Sequence, residues 1–177
     1  MVERSSRSLN IPQPRERLQA KLILVGECGS GKTSIVRQWT CAEFSNKTES
    51  TIGIDYTFKD MKTSVLNLWD MSGHPDFFEV RNEFYKDANA ILLVFDITVR
   101  KSFDSLDMWL REANRFGATN AYVGVCGNKA DIGNKRVVQK AEAETWASSR
   151  RFDYFEVSAA SGVAINDMFE TISSKLR

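Results

Sequence analysis

The residues Gly26-Glu27-Cys28-Gly29-Ser30-Gly31-Lys32-Thr33 complete the pattern GxxxxGK[ST], and no other stretch constrains the chain as much. An apolar run, LILV at 22–25, precedes them and an amphipathic segment, KTSIVRQW at 32–39, overlaps their end. Strand, loop and helix therefore follow in the order that such a loop requires. The glycines let backbone N–H groups turn inward around phosphate oxygens. The helix that follows adds the partial positive charge of its N-terminus. Lys32 supplies a point charge for β- and γ-phosphates, and the Thr33 hydroxyl suits Mg²⁺. Cys28, Ser30 and Ser34 complete the expected cradle.

The remaining sequence reads as one α/β domain built around that loop. AILLVF (90–95), AYVGVC (121–126) and FDYFEV (152–157) repeat the continuous apolar character of 22–25 and predict buried strands. Between them Phe103, Leu106, Leu110 and Ala113 form one helical stripe, and Ile165, Met168, Phe169, Ile172 and Leu176 form another. The alternating runs TIGIDYTF (51–58) and SVLNLW (64–69) predict a hairpin across a short polar turn at 60–63. That hairpin puts one antiparallel strand at the sheet edge. The expected fold is a doubly wound, mostly parallel six-stranded sheet with about five helices on its two faces, over residues 18–177. Residues 1–17 hold two of the three prolines and four arginines, with little to bury, and are expected to form a flexible arm. In such sheets ligands collect at the carboxyl ends of the strands.

Composition excludes several classes. A net charge of +1 gives no bulk attraction to nucleic acid or anionic membrane. No apolar run approaches the roughly 18–20 residues needed to span a bilayer. Cys28, Cys41 and Cys126 are scattered and form no metal-type or redox-type pair, so a reduced chain in the cytoplasm is expected. No lipid anchor is expected: valine follows Met1, no cysteine closes the chain, and Ser174-Lys175-Leu176 is not terminal. The sequence stops with its expected last helix, which leaves room for a natural tail or a further domain.

A second loop chooses the base. Gly127-Asn128-Lys129-Ala130-Asp131 follows the strand at 121–126. The Asp131 carboxylate can accept hydrogen bonds from N1–H and the 2-amino group of guanine. Adenine has neither donor and would leave the carboxylate unmatched, which argues against a P-loop kinase or ATPase. Asn128 is expected to tie the base loops together, and the Lys129 stem to lie along the ring. Glu156-Val157-Ser158-Ala159 closes the last strand and offers backbone N–H groups near the guanine 6-oxo position. Phe44 is either an edge-on contact to the base or a buried loop anchor.

Together these residues resemble the Ras-superfamily small GTPases over about 20–177. TIGIDY (51–56) and Trp69-Asp70 resemble the Rab branch. DMSGHPDFFEVRNEFYKD (70–87) resembles the Rab-like GTPases whose animal members carry a C-terminal J domain. The letters His74-Pro75-Asp76 fall in this switch segment and not in a J domain. The resemblance implies GDP and GTP as ligands with Mg²⁺, and roles by position. Thr51 would ligate Mg²⁺ through its hydroxyl and meet the γ-phosphate through its N–H. Asp70 would hold Mg²⁺ through water, and the Gly73 N–H would contact the γ-phosphate. Tyr56, Trp69 and Phe84 match three aromatics that Rab proteins present to effectors, within the switch regions 44–56 and 69–87. A monomer is expected, and its exchange factor is unspecified.

Three positions depart from that family. His74 stands where a glutamine orients the attacking water. A neutral imidazole donates and accepts from opposite sides of a rigid ring, so its reach differs from that of an amide. Slow hydrolysis with His74 out of line, a histidine that still orients water, and a structural residue on an inert switch all remain open. Catalysis is expected to rest on Lys32, Thr51, Gly73 and His74, acting by positioning and charge. Cys28 either crowds an incoming arginine finger or is a tolerated small side chain. Ala160 covers less of the base than the usual lysine or leucine. The expected activity is weak GTP hydrolysis, and the rival is a GTP-loaded scaffold that binds effectors and scarcely hydrolyses.

Overall fold

The computed structural model describes residues 17–45, 49–61 and 64–176. Its strands are β1 (Leu18–Val25), β2 (Ile54–Asp60), β3 (Ser64–Met71), β4 (Ala90–Asp96), β5 (Tyr122–Asn128) and β6 (Asp153–Glu156). They form one sheet in the order β2-β3-β1-β4-β5-β6. Only β2 runs antiparallel, against β3 at the sheet edge. The helices are α1 (Lys32–Cys41), α2 (Phe78–Asn82), α3 (Arg100–Asp104), α4 (Leu106–Arg115), α5 (Lys140–Ser148) and α6 (Ile165–Lys175). The doubly wound α/β fold read from the sequence is the one observed. The arm expected at 1–17 lies outside the described residues except for Arg17, whose guanidinium pairs with Asp60 at 3.1 Å.

The second half of β1 (22–25) and β4 up to Phe95 are apolar on both faces because helices cover both. Leu22 and Leu24 point toward α1 and α6, where Ile35, Trp39, Phe169 and Ile172 close over them. Ile23 and Val25 point the other way, into a cluster with Tyr85, Phe103, Leu106 and Trp109. Each such side chain, fully buried, contributes roughly 1.5–3 kcal/mol. Trp39 and Phe169 stack with ring centroids 3.9 Å apart and join α1 to α6.

Four details differ from the expected pattern. β1 begins at Leu18 rather than 22, because its first residues pair in register with Ser64 to Asn67 of β3. β2 begins at Ile54, not 51: Gly53 has φ 72, which ends the extended run, and its carbonyl accepts the Ser72 N–H. β6 is half-buried along its length rather than buried, since it forms the other sheet edge. The stripe from Phe103 to Ala113 is split at Ser105 into α3 and α4, giving six α-helices among the described residues. There the Ser102 and Ser105 hydroxyls donate to the carbonyls of Val99 and Ser102, an alternative to regular helix bonding.

This topology sets Val25, Asp70, Asp96, Asn128 and Glu156 at one end of the sheet, each at or next to the carboxyl end of a mutually parallel strand. The loops that leave those residues share one rim. Removing the α1–α6 stack should loosen the whole frame: Phe169→Ala is expected to cost about 3–5 kcal/mol, read as a lower urea midpoint at unchanged slope.

Candidate functional site

The loops leaving β1, β3, β5 and β6 enclose a cleft of about 350 Å³. Cys28, Gly29, Gly31, Lys32, Thr33 and Ser34 line it from the first loop and the start of α1. Phe44 and Thr51 line it from the segment after α1, and Gly73 from the turn after β3. Asn128, Lys129, Asp131, Ala159 and Ala160 complete it from the last two loops. Gly26, Ser30, Asp70 and Ser158 are buried behind these residues. Phe44 is 42% exposed, so it is not a buried loop anchor.

The first loop is shaped by what its glycines leave out. Gly31 holds φ 93, and the Asn128 amide fills the space where a Cβ would stand. At Gly73 a Cβ would run into the backbone of Gly26 to Cys28, so the turn after β3 rests on the loop itself. α1 has no side-chain cap and no acidic residue in its first turn, which leaves its first N–H groups to an anion. Lys32 is buried, and its Nζ donates to the carbonyls of Gly26 (2.8 Å) and Glu27 (3.1 Å). Burial pushes the Lys32 pKa down, against the pull of Asp70.

Three oxygens converge beside it. The Thr33 hydroxyl donates to Asp70 Oδ2 at 2.5 Å and lies 2.8 Å from the Thr51 hydroxyl. Thr51 Oγ1 is itself 3.4 Å from Asp70 Oδ2. Asp70 Oδ1 is buried without a hydrogen-bond partner. Burial raises the Asp70 pKa, although the Thr33 hydrogen bond and Lys32 oppose the shift. Two hydroxyls and a carboxylate with an unsatisfied oxygen form a hard donor set that fits Mg²⁺.

On the far side of the cleft, Asn128 laces three loops together. Its Nδ2 donates to the Ser30 carbonyl (3.0 Å) and its Oδ1 accepts the Ala159 N–H (3.1 Å). Asp131 Oδ1 accepts from the Ser158 hydroxyl at 2.6 Å, which fixes the carboxylate against the last loop. Lys129 donates to the Gly29 carbonyl (2.9 Å) and pairs with Asp96 (2.6 Å). Asp96 went unread in the sequence, although an acid closing an apolar strand at the carboxyl rim was a usable signal. Arg136 grips Glu156 through two bonds of 2.7 and 3.0 Å, tying the Asp131 loop to the end of β6.

His74 does not line the cleft. Its Nδ1 accepts the Asp76 N–H at 3.3 Å, so the ring caps the 3₁₀ turn Pro75–Phe77. The backbone beneath it is clamped by Arg81, whose Nη1 donates to the carbonyls of Ser72 (3.1 Å) and His74 (2.7 Å). The same guanidinium makes two bonds to Glu112, of 2.9 and 3.2 Å, and lies over the Trp109 ring at 4.8 Å. Tyr85 donates to Glu112 at 2.6 Å. Arg81 and Glu112 have side chains only 3% and 8% exposed. Leaving either charge alone in that setting costs about 3–5 kcal/mol. A single charge-assisted hydrogen bond is worth about 1.5–3 kcal/mol. Arg81 and Glu112 lie 31 residues apart, and no local pattern marks them. Nearby, Tyr56, Trp69 and Phe84 form a continuous aromatic row, with centroids 4.8 and 5.1 Å apart.

The family model for the Ras family matches residues 21–177. Curated relatives include proteins named DnaJ homolog subfamily C member 27. That of Danio rerio is 42% identical over 180 residues, covering 94% of this chain and 66% of its own length. Those of Rattus norvegicus and Homo sapiens are 41% identical over 175 and 169 residues, covering 92% and 90% of this chain and 64% and 62% of their own. The chain thus spans a little under two thirds of the length of these relatives.

The oxygen cluster yields a direct test. With nucleotide bound, Mg²⁺ at about a hundredfold excess over its Kd should stabilise the wild type by about 2.7 kcal/mol. For a domain of this size that corresponds to roughly 5–10 °C in Tm. In Asp70→Asn the Mg²⁺-dependent rise, followed by thermal unfolding, should shrink to under about 2 °C.

Proposed function

Because the chain belongs to the Ras family, whose members are GTPases, we propose that it is a Rab-like small GTPase that binds GDP and GTP with Mg²⁺ and hydrolyses GTP slowly. What carries this reading is the convergence, in one cleft, of an inward-turned glycine loop, a Thr–Thr–Asp oxygen cluster and an aspartate braced by Ser158. Lys32 and the N–H groups of its loop would hold the β- and γ-phosphates. Thr33 and Thr51 would ligate Mg²⁺ directly and Asp70 through water; the metal neutralises charge on the phosphate oxygens. Asn128, Lys129 and Asp131 would select guanine, with Ser158, Ala159 and Ala160 closing over the base and Phe44 at its edge. The segments 44–52 and 71–87 would change with the presence of the γ-phosphate.

The direction in which His74 points supports slow hydrolysis. A water-orienting group must face the γ-phosphate, and this ring is turned into its own 3₁₀ turn. Each tenfold loss of rate corresponds to about 1.4 kcal/mol of barrier. Cys28 stands exposed at the cleft, its Sγ 3.4 Å from Ser50 Oγ, where it would either crowd an arginine supplied by an activator or be a tolerated small side chain. The same ring position favours the second reading, a GTP-loaded scaffold that scarcely turns over. Effectors would meet the row Tyr56, Trp69 and Phe84. A monomeric, cytoplasmic protein goes with both readings; no helix among the described residues is long and apolar enough to cross a membrane.

Purified protein should release guanosine phosphates on denaturation; a folded sample that carries none and takes up no fluorescent guanosine analogue with Mg²⁺ would overturn the assignment. Inosine diphosphate, which lacks the 2-amino group, should compete at least about tenfold less well than GDP. In single-turnover assays on preloaded GTP, His74→Gln should hydrolyse at least about tenfold faster than wild type. A wild type indistinguishable from zero beside an active His74→Gln selects the scaffold.

A further inference from the structure

We propose that Asp96 is a positioning residue for the nucleotide: it fixes the Lys129 ammonium at the cleft and thereby sets how long guanosine phosphates stay bound. The inference rests on the nucleotide-binding reading above and gives a role to β4, the strand that reading leaves idle.

Among the described residues, none that lines the cleft comes from β4. Its last residue nevertheless stands at the rim, because Asp96 pairs in register with Asn128, the residue before Lys129. The backbone there is locked. The Asp96 N–H donates to the Ser102 hydroxyl, and the Ile97 N–H donates to the Asn128 carbonyl. The Asp96 side chain is only 5% exposed, and its two oxygens divide the work. Oδ1 accepts from the Thr98 N–H (2.8 Å) and the Thr98 hydroxyl (2.7 Å), which fixes the direction of the carboxylate. Oδ2 is left for Lys129, whose Nζ lies 2.6 Å away.

Lys129 is the movable partner of this pair. It holds φ 71, in the left-handed region, and no side-chain cap braces the 3₁₀ turn that starts after it. Its flexible four-carbon stem is 35% exposed. The ammonium meets two groups, Asp96 Oδ2 and the Gly29 carbonyl of the first loop. Only Asp96 brings the opposing charge, and it does so from a strand end rather than from a loop. The stem is thereby held in place before a ligand arrives, so that ordering a rotamer-rich side chain is not a cost of binding. Asn128 and Asp131 are braced by uncharged groups instead: the Ser30 carbonyl, the Ala159 N–H and the Ser158 hydroxyl. Ala160 also lines the cleft but offers a single methyl group, so more of the contact with a base falls to the Lys129 stem.

Release of a fluorescent GDP analogue from the full chain, chased with excess GDP in the presence of Mg²⁺, tests this arrangement. Asp96→Asn keeps the shape of the side chain and removes its charge; release should be at least about tenfold faster than from the wild type. Lys129→Met should accelerate release by a similar factor. Adding Asp96→Asn to Lys129→Met should change the rate by less than about twofold, because Asp96 acts only through the ammonium. Factors that multiply in the double variant, or an Asp96→Asn protein that releases at the wild-type rate, overturn the inference. If either single variant does not fold, Thr98→Val serves, since it removes one hydrogen bond from Asp96 Oδ1. It should speed release at least about threefold in the otherwise native chain and less than about 1.5-fold in the double variant, which carries no lone buried charge. Equal acceleration in the two backgrounds, or none in either, overturns the inference alone. Failure to load any guanosine nucleotide overturns it together with the functional reading.

Discussion

Keeping an ammonium and a carboxylate charged at the end of a parallel sheet, where burial disfavours both, is the constraint on which this structure turns. Lys32 is pushed down and Asp70 up in pKa, and each is the other's main charged support. Neither is optimal for folding. Each is held by groups that also suit a ligand: two loop carbonyls for Lys32, two threonine hydroxyls for Asp70. A phosphate and a divalent cation would supply the countercharges that the protein leaves incomplete. The apolar strands beneath make this tolerable: β3 carries Asp70 at its end, and the neighbouring β1 feeds the loop that leads to Lys32 at the start of α1.

Around that pair the polar side chains act mainly as fasteners between loops. Asn128 joins the first and last loops of the site, Arg136 joins the Asp131 loop to β6, and Arg81 joins the turn after β3 to α4. Each bridges elements far apart in sequence, so the geometry at the cleft is set by cross-links rather than by any loop's own preference. Fully satisfied buried networks of this kind rigidify what they connect. Between α1 and β2, Thr51 joins the oxygen cluster, Ser50 meets Cys28 and the Gly53 carbonyl accepts the Ser72 N–H.

Much of this was legible from residue order. Continuous apolar runs announced the central strands, and the glycine spacing together with Asn128-Lys129-Ala130-Asp131 located the rim where the cleft lies. What failed was context. FDYFEV reads as a buried strand like AILLVF, yet one forms a half-buried edge and the other the centre, and the strand order decides which. The split at Ser105 depends on two hydroxyls choosing carbonyls. His74 could be read three ways because a ring's direction is fixed by its neighbours: here the Asp76 N–H and the Arg81 clamp. Arg81 with Glu112, and Arg136 with Glu156, are ordinary charges in one dimension and become a pair only when the helices and loops are assembled.

Trp69 has a further use. It precedes Asp70, sits between Tyr56 and Phe84, and has the Lys21 ammonium 5.4 Å from its ring centroid. Trp39 stacks on Phe169 and Trp146 meets Phe103 and Phe152, while Trp109 is covered by the Arg81 guanidinium. The indole next to Asp70 in sequence is thus a built-in fluorophore whose emission colour depends on a neighbouring cation and on how closely two rings enclose it. Events at this corner of the molecule can be followed optically without attaching a dye.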